Sequence, residues 1–167
     1  MQATLNPTSE VVAQAKAHVQ AGSARLAQLF SHVEDEKLTW SPSESARSAL
    51  RLVAHCAITN QFFADIISGH LPEQMPSPGE FEADLHAREA QIASREEALD
   101  LLSETTSQLC RTIEGVSEET IVSQCRSPFG TLPMAFWLQE SGQHLAVHAG
   151  QLAYLQTIWG DLDNHMG

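Results

Sequence analysis

Positive charge is scarce in this sequence. Lys and Arg number 9 against 21 Asp and Glu, a formal net charge of −12, so there is no basic stripe to neutralise phosphates or an anionic lipid surface. Neither nucleic acid nor a membrane is expected as a partner. The opening stretch MQATLNPTSEVVAQ lacks the basic start and apolar core of a secretory signal, and no run approaches the length of a membrane span. A cytoplasmic location is the expectation. The cysteines, Cys56, Cys110 and Cys125, are odd in number and widely spaced, with no Cys-x-x-Cys. That argues against a disulfide framework and a thiolate zinc knuckle, leaving buried reduced thiols.

Other absences remove whole chemistries. There is no internal repeat, no Gly-rich phosphate loop and no Gly-x-Ser-x-Gly nucleophile elbow. A carboxylate-bridged di-iron centre needs paired Glu-x-x-His motifs, and none occurs. A zinc protease needs His-Glu-x-x-His, but Leu145 follows the first histidine of the nearest match.

What the chain does have is helical period. At 167 residues it reads as one domain, 1–167, long enough for a core without disulfide or metal staples. Thr8 or Ser9 can cap a first helix whose apolar face runs Val12, Ala15, Val19, Leu26, Leu29, Phe30 and Val33, closed by the acidic turn Glu34, Asp35, Glu36. A second helix is predicted from near Ser45 to a stop at Gly69. The next stretch, HLPEQMPSPGEFEADLH, holds three prolines and two acidic patches. It reads as too irregular to be an element and long enough to cross the length of a bundle. Ser94 with Glu97 forms a capping box for a third helix ending at Gly115. VSEETIVSQCRSPFGTLPM reads as a loop with one extended stretch, and Pro133 suits the first turn of a fourth helix reaching Gly160. The tail residues Asp161, Asp163 and His165 resemble hard-metal ligands but read as a frayed acidic terminus. Four amphipathic helices without a strand pattern predict an all-α four-helix bundle, whose sites lie between facing helices.

His144 and His148 lie four apart on the last helix, about 40° from each other round its axis, so they project side by side. With eight histidines in the chain, such spacing arises by accident roughly one time in three, and two core histidines bonded to neighbours are an equally admissible origin. His55 changes the balance, since it stands among core-facing residues of the second helix. Three neutral imidazoles make an open site suited to Zn, Ni, Fe or Mn, with positions left for water or substrate. Glu140 and Gln151, one turn either side of the pair, are candidates to orient a ligand imidazole through its other N–H or to accept a released proton. The other five histidines read as solvated surface.

The order of Trp40-Ser-Pro42, a Ser-rich helix start, SALRLVAHCA around His55, the Pro128-Phe129-Gly130 loop and HLAVHAGQL near the end resembles the DinB-like, or YfiT-like, superfamily. The most specific part is His-x-x-x-His-x-Gly-Gln, ending in Gly150 and Gln151; Val147 stands where many relatives carry Glu. The resemblance implies an up-down-down-up bundle with a long crossover between helices two and three, and a metal triad of His55, His144 and His148. It also implies thiol-dependent transferase or isomerase chemistry, in which a divalent ion activates a low-molecular-weight thiol such as bacillithiol or mycothiol against a small electrophile, and often a homodimer. A non-catalytic bundle that holds metal or an apolar ligand is the competing expectation.

Overall fold

A computed structural model describes residues 7–165 of the chain. Four long helices form the scaffold: α1 (Pro7–Ser31), α2 (Ala49–Ser68), α4 (Arg95–Glu114) and α6 (Met134–Ile158). Between them lie α3 (Pro78–Glu89), the single turn α5 (Glu118–Ile121) and a hairpin of β1 (Gln124–Ser127) and β2 (Gly130–Pro133).

Cross-helix contacts fix the directions. On α1 and α6, Gly142 lies against His18, Gly22 against Leu145, and Gln156 Nε2 donates to Leu29 O, so numbers rise together and the helices are parallel. On α1 and α4, Lys16 pairs with Glu114, Ser23 with Thr106 and Arg95 with Phe30 O, so these run opposed. His55 meets His144 and Phe63 meets Trp137, so α2 opposes α6. It follows that α2 and α4 are parallel, which is the up-down-down-up order. Leu26, Leu29, Phe30, Leu102, Leu109, Leu138, Leu145 and Leu152 fill the shared interior. Cys56, Cys110 and Cys125 are free and buried. No described helix is long and apolar enough to cross a membrane.

Several sequence expectations need correcting. α1 already includes Thr8 and Ser9, with Pro7 at its start, a position where a missing N–H costs nothing. α2 begins at Ala49 rather than near Ser45, because Ser48 is the residue whose side chain accepts the Arg51 N–H (3.3 Å). Pro133 is the N-cap residue of α6, in extended conformation, rather than part of its first turn.

The crossover taken as irregular contains α3. Ser77 Oγ accepts from Glu80 N at 3.3 Å and Glu80 Oε2 accepts from Ser77 N at 2.8 Å, a capping box with Pro78 in the first turn. The late segment read as a loop is the α5 turn followed by an antiparallel hairpin pairing Gln124 with Pro133 and Ser127 with Gly130. Its turn is Pro128-Phe129, closed by Ser127 Oγ, which accepts from Phe129 N (3.1 Å) and donates to Gly130 O (2.9 Å). Gly130 sits at φ +109, where a side chain would be strained. The tail is not frayed up to His165, whose Nε2 lies 2.7 Å from Asp161 Oδ2 and whose ring stacks on His32 at 4.1 Å.

The parallel pair α1 and α6 touches backbone to backbone at Gly142. A Cβ there would lie 2.6 Å from His18 Cβ, 3.2 Å from His18 C and 3.3 Å from Val19 N. Backbone cannot swing aside as a side-chain tip can, so Gly142→Ala is expected to destabilise by about 1–3 kcal/mol. At about 2–4 °C per kcal/mol, the thermal midpoint falls by about 2–12 °C. Gly150→Ala, with nothing within 4 Å, is the matched control. It is expected to hold or raise the midpoint, since Ala is the better helix former.

Candidate metal centre

Two helices and one short connector helix build the site. His55 is held on the inner face of α2, only 6% exposed. His144 and His148 reach it from the opposed α6. His55 Nε2 and His144 Nε2 are 3.0 Å apart, His148 Nε2 and His144 Nε2 3.1 Å apart, and a ligand atom from each of the three falls within 4.8 Å of the others. Nitrogens bound side by side to one ion at about 2.0–2.1 Å lie about 2.9–3.4 Å from each other. Both distances to His144 Nε2 have that spacing.

Proton accounting shows why the cluster fits a cation. A carboxylate only accepts, so His55 Nδ1–H donates to Glu89 Oε1 at 2.8 Å and the lone pair is left on Nε2. His148 Nδ1–H donates to Gln151 Oε1 at 2.7 Å with the same result. A neutral His144 has at most one proton to offer the two Nε2 atoms facing its own. Three imidazole nitrogens thus converge with more lone pairs than hydrogens, an arrangement a divalent ion satisfies. His144 Nδ1 is buried without a partner among the described residues.

Glu89 is the residue that sequence reasoning missed. Its side chain is wholly buried and takes Arg47 Nε at 3.1 Å on both oxygens as well as His55. Burial alone would raise its pKa, but the bonds to His55 and Arg47 outweigh that and hold it at about 2. The sequence did carry a signal. Ser77-Pro78-x-Glu80 is the same capping signature as Ser94-x-x-Glu97, and once α3 is drawn, Phe81, Leu85 and Glu89 share one face at four-residue spacing.

Of the other sequence candidates, Gln151 is bonded to His148 and Glu140 is not bonded to any of the three imidazoles. Glu140 lines a cavity of about 270 Å³ together with His55 and His144, and burial pushes its carboxyl above the ordinary value. On the other side of the cluster, His148, Gln151, Arg47 and Tyr154 line a second cavity of about 570 Å³. Asp161, Asp163 and His165 also lie close enough to share an ion, but Asp161 is already bonded to His165 and to the Asp163 N–H. His86 meets Glu82 at 3.0 Å and His70 meets Ser68 at 2.8 Å, both near the surface.

Burial and the neighbouring positive groups lower His144 to about 2, and burial followed by His55 lowers His148 to about 4. Both rings are neutral at pH 7, as ligation needs. The unfolded chain takes up protons near the ordinary value of 6.5, where the folded chain resists them. Stability of the metal-free protein is therefore full above that pH and falls as pH drops toward 4. Glu89 acts in the same direction below 4.5, its ordinary value. Urea titrations in chelator are expected to give on the order of 4 kcal/mol less stability at pH 5 than at pH 7.5, about 2 from each ring. A flat profile would contradict the buried neutral rings.

Comparison with known proteins supports the fold. The family model described as the DinB superfamily matches residues 18–152. YfiT from Bacillus subtilis, titled a probable metal-dependent hydrolase with an unusual four-helix bundle topology, superposes with a TM-score of 0.72 at 14% identity, over 96% of this chain and 94% of its own. A DinB-like protein (YjoA), also from Bacillus subtilis, gives 0.65 at 18% identity, over 90% of this chain and 94% of its own. A mycothiol-dependent maleylpyruvate isomerase gives 0.69 at 16% identity over 84% of this chain, which spans 60% of the isomerase's length. At such identities the likeness is one of fold. No curated protein matches the chain.

Proposed function

The chain belongs to the DinB superfamily, and we propose that within it this protein is a divalent-metal-dependent enzyme, a thiol S-transferase or a related transferase or isomerase acting on a small electrophile. One observation carries the reading: His144 Nε2 lies 3.0–3.1 Å from the Nε2 atoms of both His55 and His148, while those two rings have their Nδ1 protons committed elsewhere. Three protein ligands leave coordination positions open, whereas a structural zinc site closes with a fourth. When bound, a divalent ion lowers the pKa of a thiol or water and supplies a nucleophile near neutral pH. Zn, Ni, Fe and Mn all suit the donor set.

The chain's own residues divide the remaining work. Glu89 and Gln151 hold the His55 and His148 rings with their lone pairs inward. Glu140, in the cavity wall beside His55 and His144, would accept a proton released on that side of the cluster. The two cavities flanking the cluster accommodate two reactants, a polar thiol beside Arg47, Gln151 and Tyr154 and an electrophile opposite. The mycothiol-dependence of the similar isomerase supports this choice of cosubstrate. A cytoplasmic location and a homodimer belong to the same proposal.

The test is metal analysis of wild type and His148→Ala, followed by assays with bacillithiol and mycothiol against electrophiles. The proposal expects one equivalent of metal in wild type, loss of it in the variant, and thiol-dependent turnover that follows the metal. Stoichiometric metal without turnover would favour the non-catalytic binding bundle. No metal after reconstitution with Zn, Ni, Mn and Fe would remove both.

A further inference from the structure

The 270 Å³ cavity beside His55 and His144 has a chemistry of its own. It is walled by Phe62, Phe81, Phe129, Phe136, Trp137 and Leu85, from α2, α3, the hairpin turn and α6. The rings engage one another: Phe62 and Phe81 lie 4.5 Å apart, Phe81 and Phe129 5.6 Å, and Phe62 and Trp137 6.3 Å. A cavity of about 150 Å³ suffices for benzene, so this one admits a single substituted ring and little more. Flat apolar guests gain most from walls of this kind.

The charges in the wall point the same way. No Lys or Arg lines the cavity. Its two acidic residues differ: Glu82 is answered by Arg47 at 3.2 Å and His86 at 3.0 Å, whereas Glu140 has no ion-pair partner among the described residues. In the metal-free protein an anionic guest would meet that carboxylate in a desolvated, apolar setting, with no Lys or Arg in the wall to offset the repulsion.

We propose that this cavity binds an uncharged, ring-bearing molecule, such as a carbonyl- or nitro-substituted arene, and that in the metal-free protein it excludes anions of the same size. That the guest is the electrophile of the reaction rests on the proposed function; the binding preference does not.

Acetophenone and benzoate are a matched pair of probes, alike in size and differing in charge. Each is titrated into protein with ¹⁵N-labelled tryptophan, as purified and again after chelation, while the three indole N–H signals are followed. Acetophenone is expected to move Trp137 and to leave unmoved Trp40 and Trp159, which pack on each other at 5.8 Å. After chelation benzoate is expected to bind at least tenfold more weakly. Glu140→Gln should bring the two within threefold of each other without weakening acetophenone. Phe129→Ala, at a residue 55% exposed and so harmless to the core, should weaken acetophenone about fivefold.

Benzoate binding as well as acetophenone in chelated wild type, no response at Trp137, or exclusion of benzoate that survives Glu140→Gln would each overturn the inference. Acetophenone binding in a protein that takes up no metal would remove the proposed function and leave this preference standing. Metal binding without acetophenone binding would do the reverse.

Discussion

Glu89→Leu is expected to cost about 3–5 kcal/mol of stability and, separately, to weaken metal binding about 10–100-fold. The first effect arises because Glu89 is fully buried and Arg47 is only 20% exposed along its side chain. Removing the carboxylate leaves a guanidinium with its main acceptor gone in a place where water reaches it poorly. At about 2–4 °C per kcal/mol the thermal midpoint should fall by about 6–20 °C. The second effect arises through His55, whose Nδ1–H loses the acceptor that fixes ring orientation and tautomer. A double variant separates the two. Arg47→Met with Glu89→Leu replaces the buried pair by apolar groups, a change that is often close to neutral. Its midpoint should return most of the way to wild type while its metal affinity stays low. If affinity recovers together with stability, Glu89 supports the fold alone and does not position His55.

His144→Ala should produce the largest loss of metal. Its Nε2 is the atom within 3.1 Å of both other rings, so its removal separates the remaining pair as well as deleting a ligand. Structural zinc sites with four ligands gain about 10–16 kcal/mol, or about 2.5–4 kcal/mol for each ligand. Loss of one therefore corresponds to about 10²–10³ in affinity, read by competition with a chromophoric chelator. The metal-free variant should be no less stable at pH 5 than wild type, because it no longer buries a ring that resists protonation. Wild-type affinity in His144→Ala would dismiss the cluster as a metal site.

The scaffold and the imidazole cluster were legible in the sequence for one physical reason. Long helices that bury a face write a regular apolar period into the chain, and His55, His144 and His148 interrupt that period at positions facing the core. The crossover and the late segment were not legible in the same way. In α3 only Leu85 and Glu89 are buried, so the helix has almost no apolar period and is specified by its capping box. In the hairpin, β2 has no fully buried residue, and strands of four residues show too little alternation to stand out. Glu89 was hidden by the same circumstance: a carboxylate in a proline-spaced acidic stretch looks solvated until the helix beneath it is recognised.

The walls of the aromatic cavity come partly from those two inconspicuous elements, and this divides the molecule's duties. The three nitrogens are anchored by α2 and α6, while Phe81, Leu85, Phe129 and Leu132 come from α3 and the hairpin. The hairpin's register is set locally by its own turn, so its residues can be exchanged or lengthened without moving the imidazoles. One unchanging imidazole cluster can in this way be refitted for different guests, with selectivity drifting across a lineage while the three rings stay put.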